Sequence, residues 1–333
     1  MIATITLNPS LDDHITVDGL KVEEANRWVR QDRYAGGKGI NVSRAIYEMG
    51  GITVAYGFIG GINGRALEIL LDEEGVLFSF TPIQHETRVN LFINDSRTDQ
   101  QTRIDAPGPH ITKRDMDRFF KKIRGIRPRP DMMVTSGSAP PGVPAKIYYD
   151  IIKEGQASGV RTILDAAGRW LAEGIKAKPY LIKPNVHEAE ELLKRELPTE
   201  ETIIQAALDL VETGIEVVAI SRGETGLIAA DKKSIIKAVP PPVKVRSKVG
   251  AGDCTVAGLA LKLAYGDSLP EACRLAVAMG TACVLTSGTE LCHREDVEKL
   301  LPKIKVWEIP LEQRPKSPDA GNPMDTKSLP RAI

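Results

Sequence analysis

Short runs of β-branched and aliphatic residues alternate with stretches of helical period along most of this chain. That alternation restricts the fold more than any other feature. Repeated strand–helix–strand units predict an α/β domain: three layers, with helices on both faces of a mainly parallel central sheet. Strands are expected at Ile2–Leu7, Val54–Phe58, Met132–Thr135, Thr162–Asp165, Tyr180–Ile182 and Val217–Ser221. Amphipathic helices are expected at Ile40–Met49, Ala66–Glu73, Lys113–Ile123, Ile147–Ala157, Glu188–Lys194 and Ile203–Thr213, followed by Gly252–Tyr265 and Pro270–Leu285. Two stretches, Ile15–Tyr34 and Arg88–Asp105, interrupt the rhythm with antiparallel-looking polar–apolar alternation. Too short for a core of their own, they read as a small β lid covering about 13–35 and 88–105 and standing off the main sheet.

The chain has 333 residues, enough for one large domain or two ordinary ones, with a sizeable core either way. Its 44 basic and 44 acidic side chains cancel, and no basic run stands out, which argues against a nucleic-acid partner. The longest apolar stretches, such as Val217–Ile220 and Leu259–Ala264, fall far short of the ~20 residues needed to cross a bilayer. Met1 leads straight into an alternating strand pattern without the charged and apolar regions of a signal peptide, so a cytoplasmic protein without a membrane partner is expected. Cys254, Cys273, Cys283 and Cys292 show no C-x-x-C spacing and read as reduced, packed thiols. The folded domain is expected at 1–305. The Pro- and Lys-rich remainder, 306–333, reads as a disordered tail, because it lacks periodicity and the apolar residues needed to offset its ordering entropy.

Glycine clusters carry the chemical signal. Neither G-x-x-x-x-G-K-[ST] nor G-x-G-x-x-G occurs. Instead Val249-Gly250-Ala251-Gly252-Asp253 runs into an apolar helix, where free N–H groups and the helix dipole suit a phosphoryl group and Asp253 could accept a proton. An ordinary glycine-rich helix start with an early-turn carboxylate fits the same residues. The cluster Ala35-Gly36-Gly37-Lys38-Gly39-Ile40-Asn41 also leads into a helix; it offers close backbone approach, a cation and a side-chain amide, or simply a glycine turn. Arg88 and Arg103 lie on the lid strands, either solvated or poised to clamp a phosphate. In Lys183-Pro184-Asn185-x-x-Glu188, a magnesium and phosphate role stands beside a plain capping box. The five scattered histidines suggest no chemistry.

Together these clusters resemble the two signatures of the PfkB carbohydrate kinases, relatives of ribokinase: Gly-Gly-Lys-Gly-Ile-Asn-Val-Ser-Arg-Ala at 36–45 and Val-Gly-Ala-Gly-Asp at 249–253. The resemblance runs from Ile2 to about Leu301. Asn8-Pro9-Ser10-Leu11-Asp12, Ser136-Gly137-Ser138-x-Pro140-Pro141-Gly142 and Lys183-Pro184-Asn185 are similar to the phosphosugar branch, and Val239-Pro240-Pro241-Pro242-Val243-Lys244 with Gly288-Thr289-x-Leu291-Cys292 to the minor bacterial 6-phosphofructokinases. The resemblance implies a ribokinase-like fold that transfers phosphate from ATP with Mg2+, with room for a monovalent cation, to a phosphorylated ketohexose, fructose 6-phosphate before fructose 1-phosphate or tagatose 6-phosphate. It implies Asp253 as the base, with Gly250, Ala251 and Gly252 as anion hole and Lys38 assisting. Asp12, Gly36, Gly37, Lys38, Asn41 and Ser138 would bind sugar, and Arg88 and Arg103 its phosphate. Asn185, Ser221, Gly223 and Gly226 would join Gly250 and Gly252 around the nucleotide, Glu188 would serve the metal, and the lid would pair in a homodimer. Lys38 is more like the 1-phosphofructokinases and tagatose-phosphate kinases than the minor 6-phosphofructokinase, while Cys254 stands at a common serine and Lys248 at a usually small position. A nucleoside or plain-sugar kinase, and a non-catalytic sensor on the same fold, remain the competing readings.

Overall fold

A computed structural model describes residues 1–311, so most of the expected tail lies outside the described residues. The chain opens on β1 (Ile2–Thr6) and then leaves the main sheet for β2 (Ser10–Val17) and β3 (Trp28–Gly36). Through α1 (Lys38–Glu48) it returns to β4 (Thr53–Ile59), then α2 (Gly61–Glu74) and the two-residue strands β5 (Leu77–Phe78) and β6 (Thr81–Pro82). A second excursion makes β7 (Arg88–Asp95) and β8 (Gln100–Ile104). Regular α/β alternation follows: α3 (Lys113–Arg124), β9 (Met132–Ser136), α4 (Ile147–Ala157), β10 (Arg161–Asp165), α5 (Gly168–Gly174), β11 (Leu181–Ile182), α6 (Val186–Leu193), α7 (Glu200–Glu212) and β12 (Val217–Ser221). The last part is β13 (Leu227–Ala230), β14 (Ser234–Val239), α8 (Ala251–Ala264), α9 (Leu269–Cys283), α10 (Arg294–Leu300) and β15 (Lys305–Pro310).

The main sheet has 11 strands, ordered β15-β14-β13-β12-β11-β10-β9-β1-β4-β5 with β6 beside β4. It is parallel from β5 to β12, and the β12–β13–β14–β15 edge is antiparallel. Alternation along the strands sends side chains into two layers. Ala3, Ile5 and Met133 pack with α3, α4, α5 and α7, while Ile2, Met132 and Val134 pack with α1, α8, α9 and α10. Strands buried on both faces read as continuous apolar runs, which is why β1, β9 and β10 are visible in the sequence.

Three strands of the antiparallel edge were not expected from the sequence. Leu-Ile-Ala-Ala is short and alanine-rich, with none of the alternation that marks a half-buried strand. The strand β15 also shifts a boundary: residues 306–310, expected to begin the tail, pair with β14 from Lys305↔Val239 to Pro310↔Ser234. The lid is a four-stranded sheet, β3-β2-β7-β8, and it starts at Ser10, earlier than expected. Its outer pairs are antiparallel, but the central pair β2–β7 is parallel, which local alternation cannot reveal.

Candidate active site

The two signature helices begin differently from α3, α6 and α7. At α3, α6 and α7 the N-caps Thr112, Asn185 and Thr199 close capping boxes. At α1 and α8 the cap is a glycine at positive φ, Gly37 at 116° and Gly250 at 82°, and no side chain caps either helix. The first N–H groups of those helices therefore stay available to a ligand. The conformation is imposed by packing as well, because a Cβ at Gly250 would lie 2.5 Å from Leu291 Cδ2. Ala251 N reaches Lys248 O only at 3.5 Å, whereas Cys254 N makes a 2.9 Å bond to Gly250 O. The N–H groups of Ala251 and Gly252 thus form the open mouth of α8.

Four alternating charges meet there. Asp253, in the first turn of α8, accepts from Asn41 Nδ2 at 2.9 Å and lies 3.5 Å from Lys38 Nζ. Lys38 Nζ donates to Asp165 Oδ2 at 2.9 Å, and the other Asp165 oxygen lies 3.2 Å from Lys183 Nζ. The Lys183 ammonium would be 3.8 Å from a Cβ on Gly252, so this second cation faces the α8 mouth. Burial raises Asp165, yet Lys183 and Lys38 outweigh it and leave its carboxyl below the ordinary value. Burial also raises Asp253, and there it wins: Lys38 pulls down but the Asp165 charge adds to the upward push. Burial opposes the charge on Lys38, but Asp165 and Asp253 reverse this and keep it protonated. The two buried carboxylates are thus driven apart in proton affinity, Asp165 below and Asp253 above the ordinary value.

Beside this cluster, Asp12 is 5% exposed and accepts from Ser10 Oγ at 2.7 Å and Asn90 Nδ2 at 3.0 Å. Burial raises its carboxyl against these hydrogen bonds and the charges of Arg103 and Arg88. A Cβ at Gly36 would run into the Asp12 carboxylate, so only glycine allows that approach. Thr6 Oγ1, Asn8 Oδ1, Asn41 Oδ1, Ser136 Oγ and Arg88 Nε are buried without a hydrogen-bond partner. Several cluster where β1 and β9 end, the side of a parallel sheet on which ligands bind, and orphaned buried polar atoms of this kind suit a polyol.

The expected phosphate clamp is built unevenly. Arg88 donates from Nη1 to Ala106 O at 2.8 Å and from Nη2 to Asn8 O at 3.0 Å, so part of its fork braces the lid hinge. Arg103 pairs with Asp105 at 2.7 Å and lies 5.1 Å from the Phe92 ring centre. Ser138 is exposed just after Gly137, which packs on the Lys38 stem. Asn185 and Glu188 form the reciprocal capping box: Glu188 N donates to Asn185 Oδ1 at 2.8 Å and Asn185 N to Glu188 Oε2 at 2.9 Å. Glu188 nevertheless lies close enough to act electrostatically on Lys38. Ser221 bridges to Asn185, and Gly223 and Gly226 turn the chain at φ 58° and 88°.

Sequence reasoning did not assign Asp165, Lys183, Asn90 or Ser10. The available signal was a charge or polar group ending an apolar strand, as in Thr-Ile-Leu-Asp. His14 also has a part in the fold: it stacks on Phe92 at 4.1 Å and reaches Thr289 Oγ1 at 3.3 Å, and burial pushes it down to about 4.

A parallel sheet with an antiparallel edge, a stand-off lid and an uncapped helix mouth beside a buried carboxylate are the features of a ribokinase-like fold. Residues 5–296 match the pfkB family carbohydrate kinases, and the chain belongs to that family. It is 37% identical over 299 residues to ATP-dependent 6-phosphofructokinase isozyme 2 of Mycobacterium tuberculosis, covering 90% of this chain and 88% of that protein. It is 33% identical over 311 residues to 1-phosphofructokinase of Borreliella burgdorferi, covering 93% and 99%. The crystal structure of phosphofructokinase-2 from Escherichia coli in complex with potassium superposes with a TM-score of 0.87 at 35% identity, covering 91% of this chain and 98% of that one. The protein is therefore a carbohydrate kinase, a phosphotransferase with a hydroxyl acceptor.

Proposed function

We propose that the protein transfers a phosphoryl group from Mg·ATP to fructose 6-phosphate, giving fructose 1,6-bisphosphate. The observation that carries this reading is the Asn41–Asp253–Lys38 constellation at the mouth of α8. Asp253 takes the proton of the attacking hydroxyl, and Asn41 orients the carboxylate toward it. The Ala251 and Gly252 N–H groups, with Lys38 and Lys183, stabilise charge on the phosphoryl group in flight. Asp12 and Asn41 fix the sugar hydroxyls, while Arg88 and Arg103 supply the positive charge for a phosphate already on the sugar. Asn185, Ser221, Gly223 and Gly226 line the nucleotide side.

Among the described residues, no group of three or more His, Cys, Asp or Glu could hold a metal ion. That suits Mg2+, which keeps its waters and arrives on the phosphates, needing one or two carboxylates from the protein. Glu188, with one carboxylate oxygen outside its capping box, would hold it; when bound, the ion would neutralise charge between donor phosphates.

The outer lid face supports a homodimer. Ile15, Leu91, Ile93 and Ile104 point away from the Asp12–Asn90 face and form an apolar surface, with Ile104 56% exposed. The four cysteines are free and buried, and among the described residues no helix is long and apolar enough to cross a membrane; we place the enzyme in the cytoplasm.

Lys38 favours a second reading, a 1-phosphofructokinase or tagatose-6-phosphate kinase, because a lysine inside this glycine cluster resembles those enzymes more than the minor 6-phosphofructokinases. Coupled ADP release with fructose 6-phosphate, fructose 1-phosphate and tagatose 6-phosphate tests the choice. Fructose 6-phosphate is expected to lead by about a hundredfold in kcat/KM, about 2.7 kcal/mol of transition-state binding. A lead by either other sugar replaces the assignment. No turnover with any of them moves the nucleoside-kinase and sensor readings forward.

A further inference from the structure

Within the Ser221–Gly226 turn, the catalytic reading leaves the side chains of Arg222, Glu224 and Thr225 unused, and Arg222 is the cation among them. Arg222 lies between Ser221 and Gly223, and its N–H closes the turn onto Gly226 O at 2.8 Å. Its guanidinium is largely covered, at 11% exposure, and pairs with Glu200 through Nη1 at 2.9 Å. Glu200 opens α7 and also binds Lys237 of β14 at 2.7 Å, so one carboxylate serves two cations and the group keeps a net positive charge. Asn185, His187, Glu200, Ser221, Arg222 and Gly223 border one cavity of about 450 Å3, large enough for a phosphate chain. Only one of the five guanidinium N–H groups is engaged by Glu200, and the planar fork suits phosphate oxygens.

We infer that Arg222 is a ligand for the phosphates of the donor nucleotide, held at the mouth of its site by Glu200. The inference rests on reading Ser221–Gly226 as the nucleotide loop. Glu200 prevents the long side chain from losing itself in solvent, so less rotamer freedom is given up when the nucleotide arrives. Lys237, anchored 5.7 Å from the Trp307 ring centre on β15, steadies Glu200 from the other side. Arg222 would thereby add donor affinity directed at phosphate rather than at base or ribose.

The test is calorimetric binding of ADP and of adenosine to the full-length protein and to R222M, R222K and E200Q, with KM measured for ATP and for the phosphosugar. R222M is expected to weaken ADP about tenfold, the scale of one charge-assisted phosphate contact, with adenosine affinity and sugar KM unchanged. R222K should recover part of the loss. E200Q keeps the cation and removes a negative charge from the site, so it should not weaken ADP by a comparable factor. Equal losses for ADP and adenosine, or equal losses in R222M and E200Q, would make the triad a structural brace and overturn the inference. Unchanged ADP binding in a folded R222M overturns it as well. If the wild-type protein binds no ADP, the nucleotide-loop reading itself fails, a result separable from a failure of Arg222 alone.

Discussion

At the scale of single residues, Asp253 and Lys38 oppose each other in a way that experiment can separate. The folded-state pKa of Asp253 lies above its unfolded value, so its contribution to stability is present below the unfolded value and lost as pH rises through the folded one. At neutral pH the ionised, buried carboxylate is a cost that asparagine does not carry. D253N is therefore expected to lower kcat by about a thousandfold while ADP affinity stays near wild type. It should also raise Tm at neutral pH, by less in acid; kinetics and thermal unfolding at two pH values check both parts, and turnover within about tenfold of wild type would remove Asp253 from the base role. Lys38 is the larger of the two charges that lower Asp253, Lys183 being the other. K38M is expected to lower kcat by about a hundredfold and to move the acid limb of the residual kcat/KM profile to higher pH. An unmoved limb would mean that another group titrates. Asp253, Lys38 and Asn41 could be read from the sequence because each stands inside a glycine cluster at a helix start. Asp165 and Lys183 could not, because nothing local to either residue marks it as facing the other three.

At the scale of elements, the Asp253 carboxylate is only as well placed as α8, and α8 is placed by close backbone contact with α9. A Cβ at Gly258 would lie 2.6 Å from Ala276 Cα and 2.7 Å from its N. G258A sets a helix-propensity gain of about 1 kcal/mol against an overpacking penalty of about 1–3 kcal/mol or more. Because the clash is with backbone, the penalty wins. The variant is expected to lose stability in urea denaturation and to lose kcat as Asp253 shifts; a more stable G258A would show that the two helices can part freely. Eight of the ten α-helices among the described residues were legible to within about five residues, since a period near 3.6 is a local property, whereas the seven-residue α5 and α10 are too short to show it and went unrecognised. The strand Val217–Ser221 fell on its expected residues, while β13, β14 and β15 went unrecognised. Their stability comes from pairing with β12 and with one another, a property their own sequences do not display.

At the scale of the whole molecule, the lid has two faces with separate tasks. Asp12 and Asn90 look toward the catalytic cleft, and Ile15, Leu91, Ile93 and Ile104 form the opposite face. I104D is expected to shift the assembly from dimer to monomer in light scattering and to raise sugar KM more than ATP KM, since an open lid admits water and loosens Asp12 and Arg88. A wild-type monomer would remove the dimer, and an I104D dimer would place its interface elsewhere. The sequence by itself determined the alternation that makes an α/β sheet, the two glycine-started helices and the lid strands, because periodicity and glycine turns act over a few residues. Only the tertiary structure decided that β2 and β7 run parallel and that β15 closes the sheet edge. It also brought Lys38 to an Asp165 that lies 127 residues away, and Asn41 to an Asp253 that lies 212 residues away. The physical reason is range: hydrophobic period and backbone conformation are local, whereas burial, partner charges and the proton affinity they set exist only once distant strand ends share one cleft.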